Sequence, residues 1–280
     1  MRLGAARFVA GRTLDECVVA LRRLNETGLH TNTTLLGEEI ADHAGALAVV
    51  EEYERILDRI AAEELRTNVA LKLTHLGLSF DHETAYQNIE RLVDHAARLG
   101  NFVRIDMEHS ALVEPTLRTY ERLRAAGHDN VGVALQSYLY RTEDDLERLL
   151  PLAPNVRIVK GAYLAPPSIA YPRKRDVDAA FLRLVTRGLR GGAYVAVATH
   201  DERIIRLVES FAGRDGLGRD RFELQMLYGV RPALQRALVA RGYKVLVATP
   251  FGPDWYPYLM RRLAERPANV MFFLRSLVRR

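Results

Sequence analysis

Lys72 in "VALKLTH", Asp106 in "VRIDMEH", and Arg157 with Lys160 in "VRIVKG" place charged side chains inside runs that are otherwise apolar. Burying charge is costly, so positions of this kind are where chemistry is to be sought. Gln136 closes the run "VGVALQ", Gln225 sits in "FELQML", and Thr199 with His200 ends "YVAVATH". Near the end of the chain Tyr258, Arg261, Arg262 and Glu265 are three or four residues apart and share one helix face. Two guanidiniums and an ammonium suit a carboxylate or phosphate, with Asp106 balancing part of the charge and orienting an arginine. A lysine at a strand end also suits imine chemistry, which makes a Schiff-base lyase on Lys72 or Lys160 a competing reading. Metal hydrolysis fits poorly, because "HTNTT" has no histidine pair two apart and "DMEH" lacks a third ligand. Each residue also has a plainer use. Lys72 can snorkel to water, Asp106 can cap a loop, the glutamines can bond backbone, and Thr199 and His200 can lead into a helix. Convergence of all of them on one rim carries the argument.

That convergence needs a particular scaffold. Short apolar runs alternate with longer amphipathic ones, the pattern of βα units around a parallel sheet. The spacing predicts strands at 30–36, 68–73, 102–106, 131–136, 156–161, 194–200, 222–227 and 243–249. Thr13 with Glu16 has capping-box spacing, Thr142 precedes "EDDLERLL" and Asp201 opens "ERIIRLVESF", while Gly28, Gly100, Gly127 and Gly242 follow helices. Eight strands, each followed by a helix, predict a (β/α)₈ TIM-type barrel of the α/β class. It forms a single domain over 1–280, with the last helix over the barrel mouth. In such a barrel the strand C-termini carry function, and Lys72, Asp106, Gln136, Arg157, Lys160, Thr199, His200 and Gln225 fall there. An open doubly wound sheet competes, but no G-x-G-x-x-G follows the first strand, and "GRDGLGRD" lies between a helix and a strand.

Composition removes several classes. No apolar run is long enough to span a bilayer, and "MRLGAARFVAG" does not read as a secretory leader, so a cytoplasmic protein is expected. Cys17, the single cysteine, reads as a small core residue. The net charge of +5 invites nucleic acid, but basic residues are scattered among acidic ones without aromatic interleaving, so none is expected as a partner. Lysine is confined to Lys72, Lys160, Lys174 and Lys244, which singles out the two within apolar runs.

The segments "LLGE" (35–38), "ALKLTHLGL" (70–78), "VRIDMEHS" (103–110), "LQSYLYRTEDDL" (135–146), "VRIVKGAYLAP" (156–166), "ATHD" (198–201), "FELQMLYGV" (222–230) and "YLMRRLAE" (258–265) together resemble the bacterial monofunctional proline dehydrogenases. The resemblance runs in order across nearly the whole chain. It implies a distorted barrel holding FAD and oxidation of L-proline to Δ1-pyrroline-5-carboxylate by hydride transfer to flavin N5, the first step of proline degradation to glutamate. Electrons then pass to a quinone, at the inner face of the cell membrane, and a pyrroline-5-carboxylate dehydrogenase is the implied partner. By position, Lys72, Arg261 and Arg262 would hold the substrate carboxylate, and Asp106 would pair with the basic cluster. Tyr163 and Leu227 would pack on the substrate ring, with Glu38 as a gate to Arg261. Arg157 would sit against flavin N5, and Gln136 would bind the pyrimidine edge. Met107 and the segment Lys160, Gly161, Ala162, Tyr163 and Leu164, with Thr199, His200 and Glu265, would hold the rest of FAD.

Three departures qualify the likeness. Ala248 stands where the family pattern has a tyrosine, which enlarges the substrate pocket and admits 4-hydroxyproline or another cyclic secondary amine. Leu164 stands where some relatives have tryptophan. The sequence also begins close to the barrel, without much of the helical arm of relatives, which bears on oligomeric state.

Overall fold

The structure is a computed structural model that describes residues 8–37, 40–253 and 255. A first helix, α1 (Leu14–Glu26), precedes strand β1 (His30–Leu35). The chain then alternates as α2 (His43–Ala62), β2 (Thr67–Leu71), α3 (His82–Arg98), β3 (Val103–Ile105), α4 (Val113–Ala125) and β4 (Val131–Gln136). It continues with α5 (Thr142–Leu149), β5 (Asn155–Val159), α6 (Lys174–Arg190), β6 (Tyr194–Ala198), α7 (Glu202–Arg214), β7 (Phe222–Leu227), α8 (Pro232–Ala240) and β8 (Val245–Phe251). Neighbouring strands pair in parallel and in chain order, and β8 returns to β1, from His30 opposite Leu246 to Leu35 opposite Phe251. The expected barrel is therefore present.

Local chemistry explains most of the boundaries. Thr13 accepts from the Glu16 N–H at the start of α1, although the Glu16 carboxylate takes the Arg12 N–H (2.6 Å) in place of the cap's own. Asp42, Asp81 and Asp201 cap α2, α3 and α7 with their carboxylates. Gly28, Gly100, Gly127 and Gly242 all take positive φ after helices, as expected. Thr142 does not cap. Its hydroxyl donates to the Gln136 carbonyl at 2.6 Å, so it lies inside the first turn of α5 and ties that helix to the end of β4.

Six strand ends differ from the expected ones, for two reasons. At β1, β2, β3, β5 and β6 the ladder stops one or two residues early, so Lys72, Asp106, Lys160, Thr199 and His200 stand just beyond it, free of the strict in–out alternation of a strand. At β8 the strand runs on through Pro250, because the missing N–H is offset by two useful carbonyls. Pro250 O accepts from Ala10 N (2.8 Å), and Phe251 O accepts from Leu36 N (2.7 Å).

The layer between sheet and helices is apolar, and Cys17 belongs to it. The thiol is fully buried against the Thr33 hydroxyl (3.4 Å), and burial pushes its pKa up to about 11. Inside the barrel the residues are unusually small or polar. Arg104 faces Ala70 and Gly132 on adjacent strands, and Arg157 faces Ala134 and Ala196. Those short neighbours leave room for two long cations; a Cβ on Gly132 would overlap the Arg104 guanidinium. Among the described residues no helix is long and apolar enough to cross a membrane.

Candidate active site

Arg157 is the centre of the upper barrel. It is 7% exposed, and β5 directs it inward. Its Nη1 is ion-paired with the Asp106 carboxylate, and its Nη2 donates to Asn32 Oδ1 at 3.0 Å. Its Nε–H is buried and has no hydrogen-bond partner among the described residues. Asp106 follows β3, and its N–H still donates to Leu71 O (2.8 Å), which fixes the carboxylate at the rim. Charge, counter-charge and one uncommitted donor thus meet on the barrel axis. A buried donor without a partner is costly unless a ligand completes it.

Around this core the rim residues are held by a connected set of bonds. Lys72 is the residue at which β2 gives way to a 3-10 turn, Leu73–Leu76. Glu108 anchors that turn, taking the Thr74 hydroxyl (2.7 Å) and N–H (3.3 Å) on its carboxylate. Burial raises the Glu108 pKa, against the lowering effect of these bonds and of Lys72. The Glu108 carbonyl in turn accepts Gln136 Nε2 at 2.8 Å, so a donor of the Gln136 amide is already committed. Met107, between the two carboxylates, is almost fully buried.

After β5 the chain turns at Gly161, with φ of +104° and the backbone laid on the Tyr138 ring so closely that a Cβ would collide with it. Only glycine meets both demands. Ala162 continues this segment, Tyr163 brings its ring edge toward His109 (centroids 6.5 Å apart), and Leu164 is 76% exposed. Thr199 accepts the Asp201 N–H on its hydroxyl (3.1 Å) and donates its own N–H to Gln225 O. His200 Nε2 accepts the Leu227 N–H (2.8 Å), so the ring is neutral with its proton on Nδ1. Burial, then the charges of Arg231 and Lys160, lower its pKa to about 4. Leu227 ends β7 at the rim and pairs in register with Ala248, whose other partner is Asn32.

Two residues assigned to the rim lie elsewhere. The ammonium of Lys160 turns to Asp178 on α6, at 2.6 Å, and is not directed at an anion in the barrel mouth. Burial disfavours the Asp178 charge, but Lys160 and Lys174 outweigh it and hold that carboxyl below its ordinary range. This ion pairing is the reverse of the desolvated amine that imine formation requires. Gln225 points inward one layer below Leu227 and bonds Glu223 Oε1 at 2.5 Å, because alternation along β7 puts 223, 225 and 227 on one face. Glu38, Tyr258, Arg261, Arg262 and Glu265 lie outside the described residues. Among those described, no group of three or more His, Cys, Asp or Glu is placed to hold a metal ion.

Sequence reasoning overlooked Asn32, Asn68, Arg104 and Glu223. Each lies on the inward face of its strand, and Arg104 and Glu223 stand two residues before Asp106 and Gln225. Period-two counting back from the rim was the signal.

The model of the family described as proline dehydrogenase matches residues 17–275. Proline dehydrogenase 1 of Bacillus subtilis subsp. natto is 39% identical over 279 residues, spanning 100% of this chain and 92% of that protein. The proline dehydrogenase of Deinococcus radiodurans is 40% identical over 279 residues, covering 98% and 90%. In fold, the chain is similar to proline utilization A from Bdellovibrio bacteriovorus, in a structure described as inactivated by N-propargylglycine (TM-score 0.86, 21% identity, 94% of this chain and 32% of that one). It is likewise similar to proline utilization A from Corynebacterium freiburgense (TM-score 0.81, 22% identity, 100% and 33%), so it spans about a third of either structure. A parallel barrel with a buried arginine–carboxylate pair at its C-terminal mouth, matched along its length by these relatives, makes this chain a member of the proline dehydrogenase family.

Proposed function

We propose that the chain, acting as one barrel domain, oxidises L-proline to Δ1-pyrroline-5-carboxylate with FAD as its cofactor and a quinone as electron acceptor. The observation that carries this reading is Arg157, a buried cation whose Nε–H has no partner among the described residues, set on the barrel axis by Asp106 and Asn32. That donor fits an acceptor on a flat, electron-rich ring system. The Gly161 turn beside it brings backbone rather than side chains to the same mouth, as a long cofactor needs. When bound, FAD would accept hydride from the ring carbon next to the proline nitrogen.

The protein residues then divide the work. Arg157 would stabilise negative charge on a ring system bound beside it, in a place where little water competes. Asp106 keeps the guanidinium in place. Gln136 offers its remaining amide capacity to the pyrimidine edge. Met107, the Lys160–Leu164 backbone, Thr199, neutral His200 and Glu265 would hold the rest of the cofactor. By the family likeness, Lys72, Arg261 and Arg262 would hold the substrate carboxylate, Glu38 would act as a gate to Arg261, and Tyr163 and Leu227 would pack on the ring. Residues holding both partners in this way would supply the near-contact orientation that hydride transfer needs.

Ala248 favours a second substrate class on the same site. Its methyl lies in register between Asn32 and Leu227 at the mouth, which leaves room for a hydroxylated or larger cyclic amine. The deciding experiment is anaerobic titration of the purified yellow protein. L-proline should bleach the flavin absorbance, while a protein that takes up no FAD, or whose flavin no cyclic amine bleaches, overturns the reading.

A further inference from the structure

We infer that Asn32 is a positioning residue that sets the direction of the Arg157 guanidinium, and that Asn68 sets Asn32. The inference rests on the reading that Arg157 stands beside the flavin. A guanidinium is planar, so holding its two terminal nitrogens from two different strands fixes the plane and the direction in which Nε–H points. Asp106 on one side supplies an anion, and Asn32 on the other supplies a neutral oxygen. The carboxylate alone meets a single nitrogen and leaves the group able to swing about that contact. The amide removes the swing without cancelling any of the positive charge.

The orientation of Asn32 follows from chemistry. Arginine has donors only, so Asn32 must present Oδ1 to it, and its NH₂ must then find an acceptor. That acceptor is Asn68 Oδ1, directly across the β1–β2 ladder. Asn32 itself is 1% exposed, and its backbone carbonyl accepts the Thr249 hydroxyl at 3.1 Å. A chain of bonds thus runs from Asn68 on β2, through Asn32 on β1, to Arg157 on β5 and Asp106 beyond β3. Counter-charge comes from one end and direction from the other.

The test compares FAD-loaded wild type with Asn32→Leu, Asn32→Ser, Asn68→Ala and Arg157→Lys, reading the flavin midpoint potential, anaerobic reduction rate, KM for proline, FAD content and melting temperature. Both Asn32 variants should lower kcat about tenfold with KM within twofold. The preference for reduced flavin should fall by the same factor, a shift of about 30 mV to more negative potential for a two-electron couple. Asn68→Ala should shift the potential in the same direction by about half as much, roughly threefold in that preference. If Asn32→Leu fails to keep FAD, Asn32→Ser decides. Should Arg157→Lys move the potential while folded, FAD-loaded Asn32 variants match wild type, the inference is wrong. Loss of melting temperature or FAD alone, with no change in potential, likewise makes Asn32 merely structural. Should Arg157→Lys itself leave the potential unmoved, the reading of Arg157 falls first, and that outcome is distinct.

Discussion

Arg104 and Arg157 are buried to nearly the same degree, at 2% and 7% exposure, inside one barrel and one inward layer apart. Their surroundings differ in one respect. Arg104 is enclosed: Nη1 donates to Asn155 O (2.7 Å) and Val133 O (3.3 Å), Nη2 to Asn155 Oδ1, and the Phe102 ring lies 4.9 Å from its charge. Burial, then the charge of Arg157, pulls its pKa down to about 10. The nearby carboxylate, Glu223, is equally well supplied, by Lys244 (2.8 Å), the Tyr194 hydroxyl (2.9 Å) and Gln225. Burial opposes its charge, yet Lys244, Gln225 and Arg104 hold its pKa below the usual range. Arg104 is thus tied through both terminal nitrogens to oxygens of neighbouring strands. Arg157, one layer higher and proposed above to meet the ring system, keeps a buried Nε–H that has no hydrogen-bond partner among the described residues.

The contrast breaks most readily at Arg157. Arg157→Met should reduce kcat/KM for proline by roughly 10²–10³, the range for losing one preorganised electrostatic donor. Asp106 is partly exposed and can rehydrate, and Asn32 keeps its bond to Asn68, so the melting temperature should move little. Arg104→Met should do the opposite. It removes the partner of the buried Val133 carbonyl and of the partly buried Asn155 oxygens, at up to about 1–3 kcal/mol for each group left unsatisfied. The melting point should drop by several degrees, while turnover per folded, FAD-loaded molecule stays within a few-fold. Thermal melts and active-site-normalised kinetics on both variants check this. Matching profiles for the two arginines would erase the distinction.

His200 extends the comparison to a group whose charge the mouth suppresses. It is neutral in the fold, held near pKa 4 by burial and by Arg231 and Lys160, whereas the unfolded chain protonates it near 6.5. Between those values the unfolded state binds the extra proton. The contribution is therefore whole above pH 6.5 and is lost as pH falls toward 4, on the order of 3 kcal/mol across the window. His200→Gln keeps an acceptor for the Leu227 N–H and removes the titration. Urea unfolding from pH 7.5 to 4.5 should show wild type losing stability faster than the variant, and parallel curves would show that His200 does not titrate in this way.

The scaffold was legible because its signals are local. Caps such as Thr13 and Asp201, positive-φ glycines such as Gly127, and β-branched runs each depend on a few neighbouring residues. The rim was legible in residue type but not in direction. Lys160 stands one residue past β5, where alternation no longer applies, and a carboxylate on α6, Asp178, decides where it points. Asn32 was missed for the complementary reason. An asparagine in a threonine-rich strand looks like surface, and its importance comes from Arg157, 125 positions away in the chain. Pairings of that reach arise only when the barrel closes.

The finest test contrasts two alanines that line the same interior. Ala196 is fully buried and lies in register with Arg157 on one side and Glu223 on the other. Ala248 sits at the mouth between Asn32 and Leu227 and is partly exposed. Ala196→Leu adds atoms where none fit and should cost about 1–3 kcal/mol of stability by overpacking. Ala248→Tyr should cost less stability than Ala196→Leu, because Ala248 is already partly exposed. Its effect belongs to selectivity: less room should raise kcat/KM for proline relative to 4-hydroxyproline by a factor of about ten, some 1.4 kcal/mol, within the range for a pocket that gains or loses small groups. Competition assays with both amines measure that ratio directly. An unchanged ratio would remove Ala248 from the specificity pocket, and a fall in melting point matching that of Ala196→Leu would place it in the sealed part of the barrel instead.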